Sequence, residues 1–163
     1  MSAGFVTPTT PNLADFLTFL STSVQIPVAA LPANSPWPGY AFTQAQALVP
    51  CYAGIPGITF SLATYNCATH QLFVITPDQL GQTYFSGARS NQPQTNSPGG
   101  FALIQTSSGL VAATSDEGTS VTLANPDWVK GLTIGQLQFA KTPWGREYLS
   151  FIQSYGPSIW GLT

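Results

Sequence analysis

Charge is what this sequence has least of. Only 6% of its residues are Asp, Glu, Lys or Arg, against about 25% in ordinary soluble domains. No charged residue lies between Asp15 and Asp78. A free monomer usually depends on mixed surface charge to stay dispersed. We therefore expect a surface that is covered by neighbouring subunits, or, as the alternative, the surface of a neutral secreted domain.

Basic residues are especially few, since the chain has four Lys and Arg residues in total. Proteins that bind nucleic acid neutralise several phosphates with a clustered footprint of such side chains. Four basic residues cannot form that footprint. We expect no more than transient contact with DNA.

Long apolar runs are also missing, because Gln25, Pro27, Pro32 and Pro50 interrupt the most apolar part of the chain. A membrane-spanning helix needs about 20 consecutive apolar residues, so no membrane partner is expected. The first residues, "MSAGFVTPTTPNL", lack the basic region and apolar core of a signal peptide. The simplest compartment is the cytosol of the producing cell.

The sequence has two cysteines and one histidine, too few for a disulfide framework. Cys51, Cys67 and His70 offer three possible zinc ligands, but their spacing matches no common site and a fourth ligand is unassigned. Cys67 and His70 could also act together as a thiol catalyst. A buried thiol and a hydrogen-bonded histidine that pack on one helix are the simpler explanation of the pair. We expect no metal and no cofactor.

Catalytic motifs are close to absent. His70, Asp116 and a serine could form a triad, but no G-x-S-x-G turn singles out a nucleophile. Asp116 and Glu117 are adjacent and point apart in a strand, so they do not face each other across a cleft as paired glycosidase carboxylates do. No phosphate-binding or dinucleotide fingerprint is present. We expect no enzyme and no catalytic residue.

The N-terminal part predicts an extended arm followed by two helices. Residues 1–11 form the arm. Asn12 is a favourable N-cap, and Asp15 suits the first turn of the helix that follows. Ser35-Pro36 signals a second helix, with residues 40–49 compatible with it. The expected apolar faces are Leu13, Phe16, Leu17 and Leu20 in the first helix, and Ala41, Ala45, Leu48 and Val49 in the second.

The middle of the chain predicts a central helix, a flexible loop and a β-hairpin or extended arm. Residues 59–75 are ambiguous between helix and strand, but such a length without Gly or Pro favours a helix. Its expected apolar face contains Ile58, Leu62, Tyr65 and Leu72. Residues 87–100, "GARSNQPQTNSPGG", predict a flexible loop. Residues 101–124 predict a hairpin or arm, with a turn at Ser107-Ser108-Gly109.

The C-terminal part predicts helices. Thr133 and Gln136 have the spacing of a capping box, and Thr142-Pro143 marks a second start or a kink. The apolar stripe that follows comprises Tyr148, Phe151, Ile152 and Tyr155. The expected fold class is therefore α+β and mainly helical, with residues 12–163 as a single domain.

Several stretches resemble a family of small virion proteins of tailed bacteriophages with contractile tails. The first is "SDEGTSVTLANPDWVKGLTIGQLQFAKTPWGREYLSFIQSYGPSIWGLT". The others are "ITFSLATYNCATHQLFVITPD" and the helix that begins "NLADFL". The resemblance implies a neck, collar or connector protein at the head–tail junction. It also implies a homo-oligomeric ring, twelvefold or sixfold, through which DNA passes, without a cofactor.

The expected partners are other copies of this chain and the neighbouring portal, connector or tail-terminator proteins. Assembly would take place in the host cytoplasm, with the finished subunit in the virion. Two alternatives stay open. One is a capsid decoration or tail-associated virion protein, and the other is a neutral secreted binding module that displays aromatic side chains.

The few charges near the C-terminus are candidates for subunit contacts. Charge pairs between subunits fix orientation more than they add affinity, while Trp and Arg dominate interface hot spots. Arg146 and Glu147 are sequence neighbours on a helix and cannot face each other. The candidate interface residues are Asp116, Glu117, Lys141, Trp144, Arg146, Glu147 and Trp160.

Overall fold

The computed structural model of this chain describes residues 7–49, 55–89, 114–116, 119–121 and 133–155. This described part is mainly helical, as the sequence predicts. Helices were expected in the N-terminal, central and C-terminal parts of the chain, and the short helix over Tyr84–Arg89 was not. The helices are α1 (Leu13–Thr22), α2 (Trp37–Leu48), α3 (Gly57–Ile75), α4 (Tyr84–Arg89), α5 (Ile134–Phe139) and α6 (Pro143–Tyr155).

The β structure within the described residues is small. β1 (Thr114–Asp116) and β2 (Thr119–Val121) pair antiparallel, with Ser115 opposite Ser120. The β-hairpin expected about Ser107-Ser108-Gly109 is not seen, and those three residues lie outside the described part of the chain. The described fold therefore depends on helix packing.

Helix α1 begins as predicted, but it buries a different face. The Asn12 side chain accepts a hydrogen bond from the Asp15 N–H at 2.9 Å, which caps the helix. Phe16, Phe19 and Leu20 are buried. Two further members of the predicted apolar face, Leu13 and Leu17, are exposed. The predicted stripe is therefore wrong at these two positions, because α1 turns the Phe16–Phe19 edge toward the core.

Helix α2 starts at Trp37, and the expected Ser35 cap is wrong. Pro36 occupies the N-cap position without a side-chain hydrogen bond, and the buried Ser35 hydroxyl has no partner within the described residues. The predicted face is otherwise close to the observed one. Ala41, Ala45 and Val49 are buried, as is Phe42, whereas Leu48 is about half exposed.

Helix α3 is the centre of the fold, and the prediction of a helix for this ambiguous stretch is confirmed. α1, α2, α4 and α6 all pack against it. Because neighbours surround much of α3, it has no clean amphipathic face, and its buried residues include Thr64, Thr69 and His70. The two threonines donate to carbonyl oxygens one turn earlier, at 2.9 and 2.8 Å. Ile58 and Leu62, predicted to be buried, are exposed.

Tyr65 joins α3 to the first two helices. Its ring lies 5.7 Å from the ring of Phe16, 5.7 Å from Phe19 and 6.3 Å from Phe42, measured between centroids. Its hydroxyl oxygen accepts a hydrogen bond from the Asn12 N–H at 3.2 Å. The start of α1 is therefore held by the same residue that fills the aromatic core.

The chain before α1 lies against the start of α3. A Cβ atom on Gly57 would overlap the Thr9 carbonyl oxygen and stand 3.2 Å from the Thr9 Cα. Position 57 therefore needs glycine for a close backbone approach. The expected arm falls partly outside the description, which begins at Thr7.

Helix α4 corrects the prediction of a loop over residues 87–100. Gly87, Ala88 and Arg89 belong to this helix, and the first two of them are buried. The "GAR" sequence shows no helical period by itself. It is helical here because the aromatic pair Tyr84-Phe85 anchors the preceding turn in the core. Residues 90–100 lie outside the described part of the chain.

The C-terminal helices start as predicted. Thr133 and Gln136 form the capping box, in which the Gln136 side chain accepts from the Thr133 N–H at 2.8 Å. The chain restarts at Pro143, where α6 begins. Tyr148 and Phe151 are buried, and Ile152 and Tyr155 are partly buried against the core. Among the described helices, none combines the length and apolarity required to cross a membrane.

Candidate functional site

A cleft of about 240 Å³ opens between the end of α3, helix α4 and the connection from α5 to α6. It is formed where three separate stretches of the chain meet. Among the described residues, its walls combine apolar side chains with two cations, one amide and one hydroxyl. The lining residues are Phe73, Val74, Ala88, Arg89, Gln138, Lys141, Thr142 and Trp144.

Arg89 forms one edge of the cleft by capping the C-terminus of α3. Its Nη1 donates to the carbonyl oxygens of Phe73, Val74 and Thr76 at 3.3, 3.1 and 2.9 Å. The last carbonyls of a helix lack partners within that helix and carry partial negative charge. A guanidinium group at this position therefore satisfies them and complements the helix dipole.

Asp78 caps the N-terminus of the next helix, α4, whereas Arg89 caps the C-terminus of α3. Its carboxylate oxygens accept from the N–H groups of Phe85 and Ser86 at 2.6 and 2.9 Å. Burial alone would raise the pKa of Asp78. Hydrogen bonds from Ser86 and Phe85 and the charge of Arg89 outweigh burial and hold this pKa below its ordinary value. Asp78 and Arg89 together fix the turn between α3 and α4.

We expect Arg89→Met to lower the free energy of unfolding by about 1 kcal/mol. The lost hydrogen bonds are charge-assisted, but the side chain is exposed, which reduces their value. Arg146→Met is the matched control, since Arg146 donates to one carbonyl, that of Ala140, at 3.5 Å. Urea unfolding of both variants tests this, and equal losses would show that the three carbonyls of α3 do not need Arg89.

The floor of the cleft is aromatic. The rings of Phe73 and Trp144 stack with centroids 4.6 Å apart and an interplanar angle of 21°. Phe73 also meets Phe85 edge-on at 5.4 Å. Stacked aromatic pairs contribute about 1 kcal/mol beyond the area they bury. This cluster links α3, α4 and α6 and gives the cleft an apolar surface.

Behind the cleft lies a buried polar network. The Thr142 hydroxyl oxygen accepts from the Gly145 N–H at 2.9 Å, which caps α6. The same oxygen lies 2.8 Å from His70 Nδ1. The His70 ring packs against Phe139, with centroids 4.6 Å apart. Because the threonine proton needs an acceptor, we assign Nδ1 as that acceptor and Nε2 as the protonated nitrogen.

His70 is held in its neutral form. Burial, with a smaller contribution from the charge of Lys141, lowers the pKa of His70 from 6.5 to about 4. A histidine with this pKa is a weak base near neutral pH and a good hydrogen-bond acceptor. The geometry therefore assigns His70 to fixing the start of α6 through Thr142.

The thiol of Cys67 has no features of a nucleophile. Cys67 is fully buried on α3, and burial raises the pKa of its thiol to about 12. Within the described residues, no group of three metal-ligating side chains comes together. Cys51 lies outside the described part of the chain. His70 and Cys67 are both accounted for by packing.

The predicted interface residues separate into three groups. Lys141 and Trp144 are partly buried and line the cleft. Arg146 and Glu147 are exposed on α6. Asp116 is placed in β1 by its backbone, whereas Glu117 and Trp160 lie outside the described residues. The structure therefore brings Lys141 and Trp144 together in one site.

Sequence reasoning missed Phe73, Arg89 and Gly145 as parts of this site. Phe73 was one of several apolar residues on an ambiguous segment, and Arg89 lay in a predicted loop. Gly145 follows the recognised Thr142-Pro143 start, which indicates where a helix begins and does not indicate a close contact. No protein-family model, curated protein or solved structure matches this chain.

Proposed function

We propose that this chain is a structural subunit of a bacteriophage virion, forming a homo-oligomeric ring in the head–tail connector or neck. DNA would pass through the ring, and portal, connector or tail-terminator proteins would adjoin it. The observation that carries this proposal is the exposure of apolar residues that have the sequence pattern of a core. The resemblance of the quoted stretches to phage neck proteins supplies the biological setting.

Four of the exposed apolar residues form two ridges, one on each of two helices. Leu13 and Leu17 lie one turn apart on α1 and are 40% and 43% exposed. Ile58 and Leu62 lie one turn apart on α3 and are 53% and 40% exposed. Residues four apart share a helix face. In an isolated subunit these ridges contact water, and in a ring they would pack against a neighbour.

The distribution of charge supports the same proposal. The ridges lie within or beside the part of the chain that has no charge between Asp15 and Asp78. Interface cores are depleted of charge, and closed rings repeat one contact around their axis. Few basic residues also suit a ring that lets DNA pass without holding it.

The residues expected to orient neighbouring subunits remain candidates. Arg146 and Glu147 are exposed on α6, where charge pairs with another copy could set the register. Asp116, Glu117 and Trp160 keep the roles that the sequence suggests. Lys141 and Trp144 lie together at the cleft.

Mass photometry across a range of concentrations, with negative-stain images of large species, tests the proposal. We expect closed rings of one defined copy number. Leu17→Lys and Ile58→Lys should disperse them, because each places a charge in an apolar contact. Leu80→Lys, at a fully exposed site in the loop between α3 and α4, is the control and should leave rings intact. A monomer at every concentration would contradict the proposal that this chain forms a ring.

A neutral binding module is the second candidate function, and the cleft at Trp144 favours it. Such a module would remain monomeric and bind its ligand without assembling. The same measurements separate the two functions, because they differ in copy number at high concentration. A decoration or tail-associated role would be distinguished by the symmetry of the assembled species.

A further inference from the structure

Two of the four basic residues of this chain line the same cleft. Arg89 approaches from α4, and Lys141 approaches from the connection between α5 and α6. In a chain with so little charge, this concentration of cations is unusual. It raises the question of which anion they would meet.

Neither cation is neutralised by an ion pair within the described residues. Lys141 is partly buried and has no described carboxylate within ion-pair distance. Arg89 uses Nη1 for the carbonyls at the end of α3, which leaves the other N–H groups of its guanidinium fork available. The charge of Arg89 helps to lower the pKa of Asp78, but the carboxylate oxygens of Asp78 accept hydrogen bonds from the N–H groups of Phe85 and Ser86. The described lining of the cleft therefore contains two cations and no carboxylate.

Most of the remaining described lining is apolar, apart from Gln138 and Thr142, and the cleft is small. Trp144 and Phe73 form its floor, and Val74, which is about half exposed, extends the apolar surface toward solvent. Pockets for cofactors and drug-sized ligands occupy about 300–1,000 Å³, more than the 240 Å³ present here. The space suits one large side chain rather than a cofactor.

We propose that the cleft binds an aromatic side chain of a partner protein together with a carboxylate beside it in the partner's sequence. The aromatic ring would lie against Trp144 and Val74, and the carboxylate would lie between Lys141 and Arg89. A nucleic acid fits less well, because phosphate binding needs more cations than these two. The inference rests on the proposed function for its premise that the partner is another protein of the particle.

The test uses two short peptides, acetyl-Asp-Phe-amide and acetyl-Asn-Phe-amide, titrated into the full chain. The indole N–H signal of Trp144 is followed by NMR and assigned by its loss in Trp144→Phe. We expect the Asp peptide to bind roughly tenfold more tightly than the Asn peptide, because charge-assisted hydrogen bonds are the stronger kind. Equal binding of the two peptides would overturn the proposal.

Lys141→Gln is the decisive variant, since Arg89 also caps α3. Loss of a partly exposed ion pair should weaken binding of the Asp peptide by about three- to fivefold. Arg146→Gln removes a cation of α6 that does not line the cleft, and it should leave binding unchanged. An unchanged remainder of the NMR spectrum shows that each variant is folded. Equal effects of the two variants would also contradict the proposal.

Further outcomes separate this inference from its alternatives and from the ring. Phenylacetate binding as tightly as the Asp peptide would indicate a free small molecule and overturn the choice of a protein partner. A protein that stays monomeric but binds the Asp peptide more tightly than the Asn peptide would support the proposed binding site in the cleft and contradict the proposed ring. Closed rings together with equal binding of both peptides would support the proposed ring and contradict the proposed binding site in the cleft.

Discussion

Gly145→Ala is expected to lower the free energy of unfolding by about 3 kcal/mol, the upper end of the usual cost of overpacking. A Cβ atom at this position would overlap the Phe139 carbonyl oxygen and stand 2.9 Å from His70 Nδ1. The first neighbour is backbone at the end of α5, and the second belongs to the central helix. Neither can move aside without disturbing the Thr142 hydrogen bonds that start α6.

Gly135→Ala provides the control, because it makes the same chemical change on the neighbouring helix. The nearest atom to a Cβ there is Thr133 Oγ1, at 3.9 Å, which is ordinary contact. Alanine is the better helix former, so this variant should gain up to about 1 kcal/mol. Thermal unfolding distinguishes the two, with a decrease of roughly 10 °C expected for Gly145→Ala. Similar melting temperatures for both variants would show that α5 and α6 adjust to the extra methyl group.

The starts of helices could be predicted from the sequence because capping is a local interaction. Asn12 caps α1 through a neighbour three residues away, and Thr133 caps α5 in the same way. Ser35 shows the limit of this reasoning. It has the right residue type before a proline, yet its hydroxyl does not cap α2, because the helix begins one residue later than the pattern indicates.

The buried faces of the helices were harder to predict, because burial depends on which elements meet. The period of α1 fits Leu13 and Leu17 as well as Phe16, and only packing against Tyr65 selects the aromatic edge. α3 has buried residues around most of its circumference, so its apolar spacing carries little information. The positions at which the predicted faces fail include Leu13, Leu17, Ile58 and Leu62, which form the exposed apolar ridges. These ridges are the surfaces that we propose contact a neighbouring subunit.

The cleft could not be predicted because its parts are far apart in sequence. Lys141 and Trp144 were recognised as unusual, but Arg89 and Phe73 join them only through the packing of α4 and α3. Gly145 is required by the approach of the Phe139 carbonyl and His70, and neither contact leaves a motif. Thr142 was recognised as a helix start, yet its bond to His70 spans 72 positions of the chain.

The pH dependence of stability should report the buried state of His70 directly. The folded pKa of His70 is about 4, and that of an exposed histidine is 6.5. Above pH 6.5 both states are neutral, so the full contribution is present. As the pH falls toward 4, the unfolded chain binds the proton first and stability decreases. We expect a loss of about 3 kcal/mol across this window, which urea unfolding at several pH values measures.

His70→Asn is the matched variant for this test, because an amide can still accept from Thr142 but does not titrate. Its stability should change little between pH 6.5 and 4.5. Asp78, whose folded pKa is lowered, loses its contribution at more acidic pH and so affects the two proteins alike. Since the chain has one histidine, its imidazole NMR signal needs no assignment. A titration midpoint near 6.5 in the folded protein would mean that His70 is open to water, and the network that starts α6 would then have to be rejected.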